Sequence, residues 1–332
     1  MRVHRSVQTL TVLLAAWCWM QCSGECRAQP RRAVSGAAQP PDEQGELESK
    51  RDLLWNAAQA QLAEGNLEVA IAAAEAMLAI ERQIYGNEHA EVAYTLRWLG
   101  ERYIEIEDFE SARTAQQEQI RILAKLHGRL HWRVIDARWA LRHVDVVAKL
   151  SAPDRAALVR ADGLERDALL ANRHADYAHA RELVAEVLAI RRRLLPVPHP
   201  DLAKSLNNLG AVLKAQGDIA NARQTYEQVL SMCRRLYPID ICPAGHPRLA
   251  LCLNNLGLMI FAQADFAAAR PHFERALTMQ QRLYPAEEHP RGHALVLPTL
   301  NNLGLLHQAL GDYAGSRQYF DRALIMAQQL YP

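Results

Sequence analysis

Histidine is the residue type with the most chemistry to offer in this chain, and thirteen histidines occur among its 332 residues. Two of them, His289 and His293, have the i, i+4 spacing with which a helix presents two metal ligands. The pair lacks the glutamate of a zinc hydrolase, and three of the recurring histidines stand directly before a proline, which suits a helix start. The recurring positions are His89, His131, His199, His246 and His289. We predict that they are structural, with no metal site and no cofactor.

The sequence contains none of the short motifs that place a nucleophile, a metal ion or a phosphate. It has no CxxC pair, no GxSxG elbow, no Walker loop, no GxGxxG turn and no aspartate-rich calcium loop. Serine, histidine and aspartate all occur, but no pattern places a nucleophile beside a base. We therefore predict no catalytic residues and a non-enzymatic protein.

The N-terminus has the pattern of an export signal. Arg2 and Arg5 precede an apolar stretch from about residue 7 to residue 20, and the small residue Ala28 follows. We predict a signal peptide over residues 1–28, cleavage near Ala28, and export to the periplasm or the medium.

Composition limits the remaining classes of function. The formal net charge is +1 and stays close to zero once the signal is removed, which argues against nucleic acid as a partner. No later stretch approaches the roughly 18 apolar residues of a transmembrane helix, so we expect no stable membrane span. Residues 29–50 are rich in proline and polar residues without periodicity, and we predict a flexible leader there.

A repeat supplies the elements that must position any functional residue. The words LNNLG occur at 206–210, 253–257 and 300–304, each followed by a Gly-Asp or Ala-Asp turn. More diverged turns occur three times earlier, and the basic period is 42 residues, with two 5-residue insertions and one 26-residue insertion. Fixed distances after each turn indicate helices of constant length joined by loops of variable length.

Each repeat therefore predicts a helix pair that buries its apolar face only against its neighbours. We predict a solenoid over residues 51–332 and one further helix near 132–150, before the third pair. The six predicted pairs lie near 51–89, 90–131, 154–199, 200–246, 247–293 and 294–332.

The repeated motifs resemble those of a known family. Three features are similar to tetratricopeptide repeats. They are a small residue followed by Leu-Gly in the first helix, the Gly-Asp-Tyr turn at 311–313, and an alanine, an aromatic residue and a second alanine in the second helix. The 42-residue period, the NNLG words and the His-Pro pairs resemble the kinesin light chain subtype. The resemblance covers about residues 51–332 and implies an all-α, right-handed superhelix that binds proteins or peptides without catalysis.

In that family the first helix of each pair lines a concave groove, so groove positions follow residue by residue. An amide carries both a donor and an acceptor, so a row of asparagines can hold a peptide backbone. Alternatively, the asparagines bond from helix to helix and fix the superhelix. We favour binding for the second asparagine of each pair and leave the first open. The matching positions are Asn207, Asn208, Asn254, Asn255, Asn301 and Asn302, with Lys204 and Lys214 in the fourth pair.

The first two pairs differ at the matching positions, which hold Trp55 and Asn56, then Arg97 and Trp98. A tryptophan beside an arginine is the residue combination of binding hot spots. We expect Arg97 and Trp98 to form a specific anchor, with a place in the core as the alternative for the tryptophan.

Three cysteines lie beyond the signal, Cys233, Cys242 and Cys252. Three cysteines allow one disulfide, which an oxidising compartment would permit. Cys252, however, occupies a column of the repeat that Ser205 and Thr299 fill in its neighbours, which favours a small buried residue.

The sequence thus predicts an exported interaction scaffold that holds a peptide or a partner protein in its groove. The alternative is a regulatory or docking segment of a larger enzyme, because in bacterial proteins that this chain resembles such repeats often precede a caspase-like protease domain. The last helix carries Phe320, Leu324 and Leu330 without a following repeat to cover them. We therefore also expect self-association through this helix.

Overall fold

The computed structural model describes residues 41–331, and this part of the chain is all helical, with no strand. The predicted signal peptide, its cleavage near Ala28 and residues 29–40 of the predicted leader lie outside the described residues. We number the α-helices α1 to α13. They are Pro41–Ala63, Leu67–Tyr85, Ala90–Glu105, Phe109–His127, Trp132–Val147, Ala152–Arg173, Tyr177–Leu194, Pro200–Ala215, Ile219–Leu236, Pro247–Ala262, Phe266–Leu283, Leu297–Ala309 and Tyr313–Leu330, with a 3₁₀ turn at Ala294–Val296 before α12.

The chain divides into two compact units between Val159 and Arg160, and each is described by itself. In the first unit α1 pairs with α2 and α3 with α4, while the additional helix α5 packs against α4. In the second unit α8 pairs with α9, α10 with α11 and α12 with α13, and α7 packs against α8. The structure confirms the all-α architecture of helix pairs with one additional helix after the second pair, and five of the six predicted pairs pack in this way.

Glycine and an aromatic ring bring the two helices of a pair together. A Cβ atom on Gly210, Gly257 or Gly304 would lie within 3 Å of the ring of Tyr226, Phe273 or Phe320, respectively. The glycine of each LNNLG word is therefore needed for the close approach of the second helix. A column of alanines in the second helices is also fully buried: Ala70, Ala112, Ala180, Ala222 and Ala269.

The turn inside each pair has a fixed conformation. Gly65, Gly217 and Gly311 adopt positive φ, and at the matching positions Glu107, Ala175 and Ala264 do so with φ between 61° and 63°. In five of these turns an aspartate follows and caps the second helix, as when the Asp265 carboxylate accepts the N–H of Ala268. Asn66, which follows Gly65, forms no such bond. The capped turns explain the Gly-Asp pattern, because glycine tolerates the left-handed turn and aspartate satisfies a helix N-terminus.

Helix α1 begins at Pro41, earlier than the sequence predicted, so residues 41–50 are helical and were wrongly included in the leader. This stretch is polar, but it begins with proline and continues with glutamate, leucine and lysine, which suit the first turns of a helix. None of the described helices is both long enough and apolar enough to cross a membrane.

Candidate functional site

The predicted groove asparagines form a ladder between repeats in the second unit. In each step the second asparagine of one repeat donates through Nδ2 to the first position of the repeat before it. In the repeat before Asn208, the first position holds Glu165 on α6 instead of an asparagine. The steps are Asn208 to Glu165 Oε1 at 2.9 Å, Asn255 to Asn207 Oδ1 at 3.3 Å and Asn302 to Asn254 Oδ1 at 2.9 Å.

Burial separates the six asparagines into two groups. Asn207, Asn208, Asn254 and Asn302 are buried, with exposed fractions of 9% or less. Asn255 and Asn301 are partly exposed. Asn301 is the residue of the last repeat that matches the buried Asn254. For the four buried side chains the contacts favour the helix-to-helix alternative, because adjacent first helices lie close enough for their amides to meet.

The ladder starts at a buried cluster of charges around Glu165. The Glu165 carboxylate accepts two hydrogen bonds from the Arg191 guanidinium, at 3.0 and 3.1 Å, and Lys204 Nζ lies 2.7 Å from its second oxygen. Burial by itself lowers the pKa of Arg191, but the attraction of Glu165 and its neighbours outweighs burial and raises that pKa above its ordinary value. The predicted groove residue Lys204 is therefore exposed but already paired with a carboxylate.

Sequence reasoning missed Glu165 and Arg191. Their only signal was positional, since Glu165 stands 42 residues before Asn207.

Lys214 is the predicted groove residue with the most distinctive electrostatics. It lies near the C-terminal end of α8, half-buried, and desolvation lowers the pKa of its ammonium group. Among the described residues no acidic group forms an ion pair with it and no acceptor forms a hydrogen bond with it. Leu258 and Phe261 on α10 are also partly exposed. They stand 47 residues after Ala211 and Lys214 of α8, at the matching positions of the next repeat.

We call the partly exposed residues of this face the groove stripe. It consists of Lys214, Asn255, Leu258, Phe261 and Asn301.

In the first unit the predicted anchor divides into a core residue and a surface residue. Trp98 is 9% exposed and belongs to the hydrophobic core, with its ring 5.8 Å from that of Trp55 and the Arg102 guanidinium 5.4 Å away. Arg97 is about half exposed and bonds Glu101 at 3.3 Å. The contacts of Trp98 thus favour the core alternative.

Histidines cap the first helices. The Nδ1 atom accepts the backbone N–H two residues on, as in His246 with Arg248 at 3.1 Å, so this nitrogen is unprotonated. Four recurring histidines cap helices, but His293 rather than His289 caps the last repeat, through the Leu295 N–H. His293 stands nine residues after Tyr284, as His246 stands nine after Tyr237, whereas His289 stands only five residues after Tyr284. The caps are His89, His131, His199, His246 and His293.

Aromatic stacking holds these rings in place. The Tyr237 ring lies 3.5 Å from that of His246, and the Tyr284 ring 3.7 Å from that of His293. At His131, burial, together with the nearby His127 and Arg133, lowers the pKa to about 4. Burial also lowers the pKa of His89. His89 and His131 therefore serve as neutral helix caps.

Comparison with family models finds the tetratricopeptide repeat at residues 168–235, and again at 249–291 and 296–332. The matched residues contain most of the second unit, including the asparagine ladder from Asn207 onward. Comparison of the sequence with curated proteins finds no match.

Comparison with solved structures finds the following three among others. BtubC from P. vanneervenii is 20% identical over 80% of this chain and 92% of its own, with a TM-score of 0.41. The TPR-like repeats of a protein described as a kinesin light chain from Podospora anserina are 18% identical over 72% and 97%, with a TM-score of 0.31. Aspartyl phosphate phosphatase F from Bacillus subtilis is 11% identical over 90% and 78%, with a TM-score of 0.42.

The assignment depends on the repeat models and on the helix pairs, turns and glycine–aromatic contacts described above. Residues 168–235, 249–291 and 296–332 of this chain are tetratricopeptide repeats.

Proposed function

We propose that this chain is an exported, non-enzymatic scaffold that holds a peptide or a partner protein along the first helices of its second unit. Tetratricopeptide repeats support the general role of a protein-interaction scaffold. The signal-like N-terminus supports export, and the lack of catalytic motifs supports a role without catalysis.

The groove stripe is the observation that carries the proposal. Lys214 offers a half-buried cation without an ion-pair partner among the described residues, and the apolar Leu258 and Phe261 occupy the matching positions of the next first helix. A partly desolvated charge gains from an opposite charge more than a fully solvated one does. Asn255 and Asn301 add partly exposed amides that can bond a peptide backbone. This combination fits a segment that carries a carboxylate next to an apolar side chain.

A retention experiment tests the proposal. The purified mature chain is immobilised and incubated with the exported fraction of the source cells, and retained proteins are quantified by mass spectrometry. We expect Lys214→Met combined with Phe261→Ala to lower the retention of a specific partner at least about tenfold, since about 1.4 kcal/mol corresponds to that factor.

The matched control is Arg234→Met, which removes an exposed cation from the second helix α9. It should retain the partner as the wild type does. Equal retention by the wild type, the control and a helical, folded stripe variant would rule out binding at the groove stripe.

A further inference from the structure

Two junctions between successive helix pairs place a bonded polar pair in the same buried register. One member lies on the second helix of a repeat, and the other lies one turn into the first helix that follows. In the first unit Thr95 donates to the Glu81 carboxylate at 2.7 Å, and in the second unit Arg191 donates to Ser205 Oγ at 2.7 Å. This register holds two groups that face each other across a junction.

At the junction between α9 and α10 the same register is filled by two cysteines. Cys233 stands 42 residues after Arg191, and Cys252 stands 47 residues after Ser205. Their Sγ atoms are 3.6 Å apart, both side chains are buried, and both cysteines are in the thiol form in this structure. The repeat geometry that aligns a bonded pair elsewhere therefore aligns two oxidisable groups here.

We propose that Cys233 and Cys252 form a disulfide that joins two successive repeats covalently. A disulfide sulfur pair lies about 2.05 Å apart, so the two sulfurs need to approach by about 1.5 Å. Cys242 is held apart from the pair in the α9–α10 loop, where its thiol donates to the Gly245 carbonyl at 2.8 Å. The structure thus favours one pairing among the three possible ones.

The reaction needs an oxidant, for which we name a small disulfide such as oxidised glutathione. One cysteine thiolate attacks a sulfur of the oxidant, forms a mixed disulfide and releases the first glutathione thiolate. The second cysteine thiolate then attacks the protein sulfur of the mixed disulfide and releases the second glutathione. Each leaving thiolate takes up a proton lost by a cysteine, so two protein thiols are oxidised and one oxidant disulfide is reduced.

The burial of the two thiols determines at which stage of folding they can be oxidised. The hydrogen bond to Cys233 and then burial raise the pKa of Cys252 well above its ordinary value, so the folded junction contains little thiolate. Oxidation is therefore expected while the junction is open, during folding or local unfolding, and slowly in the closed state.

Refolding under redox control tests the proposal. The reduced, unfolded mature chain is refolded in a mixture of reduced and oxidised glutathione, remaining thiols are alkylated with iodoacetamide, and peptides are mapped without reduction. We expect a crosslink between the peptides that contain Cys233 and Cys252, lost on reduction, and a higher thermal midpoint for the oxidised chain than for the reduced chain.

Two variants provide the controls. Cys242→Ser should keep the crosslink, and Cys252→Ser, which introduces the side chain that the preceding repeat carries at Ser205, should lose it. Alkylation of both Cys233 and Cys252 in the refolded wild type, or a crosslink that uses Cys242 instead, would overturn the proposal without reference to any variant.

Discussion

At the scale of single residues, the asparagine ladder explains why a poor helix former recurs in the first helices. Asparagine costs roughly half a kcal/mol relative to alanine inside a helix. A hydrogen bond between helices offsets this cost, and Asn302 forms one with Asn254 at 2.9 Å, where both are buried. The side chain is therefore retained for what it bonds in the neighbouring repeat.

The ladder predicts that Asn254→Ala destabilises the protein by about 1–3 kcal/mol, because the buried Asn302 amide loses its acceptor. The matched control is Asn301→Ala, at the adjacent repeat and partly exposed, for which we expect a change within about 0.5 kcal/mol. Both variants gain the same helix propensity, so the difference between them isolates the ladder bond. Urea denaturation followed by circular dichroism measures it, and equal stability of the two variants would contradict the ladder's energetic role.

At the scale of elements, the contact between the two helices of a pair depends on a glycine and a ring. A Cβ atom at Gly257 would lie 2.9 Å from the ring of Phe273, which is fully buried. The helix pair therefore has room for a hydrogen at this position and for nothing larger.

We predict that Gly257→Ala destabilises the protein by about 1–3 kcal/mol through overpacking. For the control, Gly163→Ala on α6, we expect a change in stability of the opposite sign. Its Cβ would lie no closer than 3.8 Å to any atom beyond its chain neighbours and the adjacent backbone of its own helix, so the substitution should stabilise the protein by roughly 0.5–1 kcal/mol. Chemical denaturation of both variants checks the pair. Destabilisation by both, or by neither, would show that the close approach does not decide the outcome.

The histidine caps give the helices a dependence on pH. The pKa of His131 is about 4 in the folded protein, below its ordinary value of 6.5, so the unfolded chain binds the proton more tightly. Stability from this cap is thus fully present above pH 6.5 and is lost as the pH falls toward 4. Protonation places a proton on the Nδ1 atom that accepts the Arg133 N–H.

We therefore predict that His131→Asn, which keeps a side-chain cap that does not titrate, flattens the decline of the thermal midpoint between pH 6.5 and 4. His174→Asn, at an exposed histidine that caps no helix, should leave the decline as in the wild type. Parallel curves for the wild type and His131→Asn would exclude this cap as a source of the acid sensitivity.

The sequence was sufficient to predict the helix pairs, their turns and the additional helix, because period, turn residues and small-residue columns are local signals. It was not sufficient to predict the cluster of Glu165 and Arg191, since the burial of a charge depends on a partner from another helix. For the same reason it favoured a ligand for Asn208 and Asn302 over the alternative of a bond between helices, whereas each bonds the preceding repeat. The start of α1 was missed because polar helix starts and leaders have similar composition.

At the scale of the whole molecule, a repeat array separates stability from binding. Each repeat contacts its neighbours, so stability is approximately a sum of repeats and junctions. The ladder bonds and the buried pair of Arg191 and Ser205 belong to the junctions of the second unit. Apart from Asn255, which is part of the ladder, no side chain of the groove stripe takes part in these bonds, and this is why we assign the stripe to binding.

Site-specific photo-crosslinking tests this division most directly. A benzophenone amino acid is placed at Leu258 in the groove stripe or at the exposed Gln224 on the second helix α9. The chain is then irradiated in the exported fraction of the source cells, and crosslinked proteins are identified by mass spectrometry. We predict that one partner crosslinks to position 258 and that Lys214→Met suppresses this product, while position 224 gives none. Crosslinking of that partner from position 224 and not from position 258 would contradict the account.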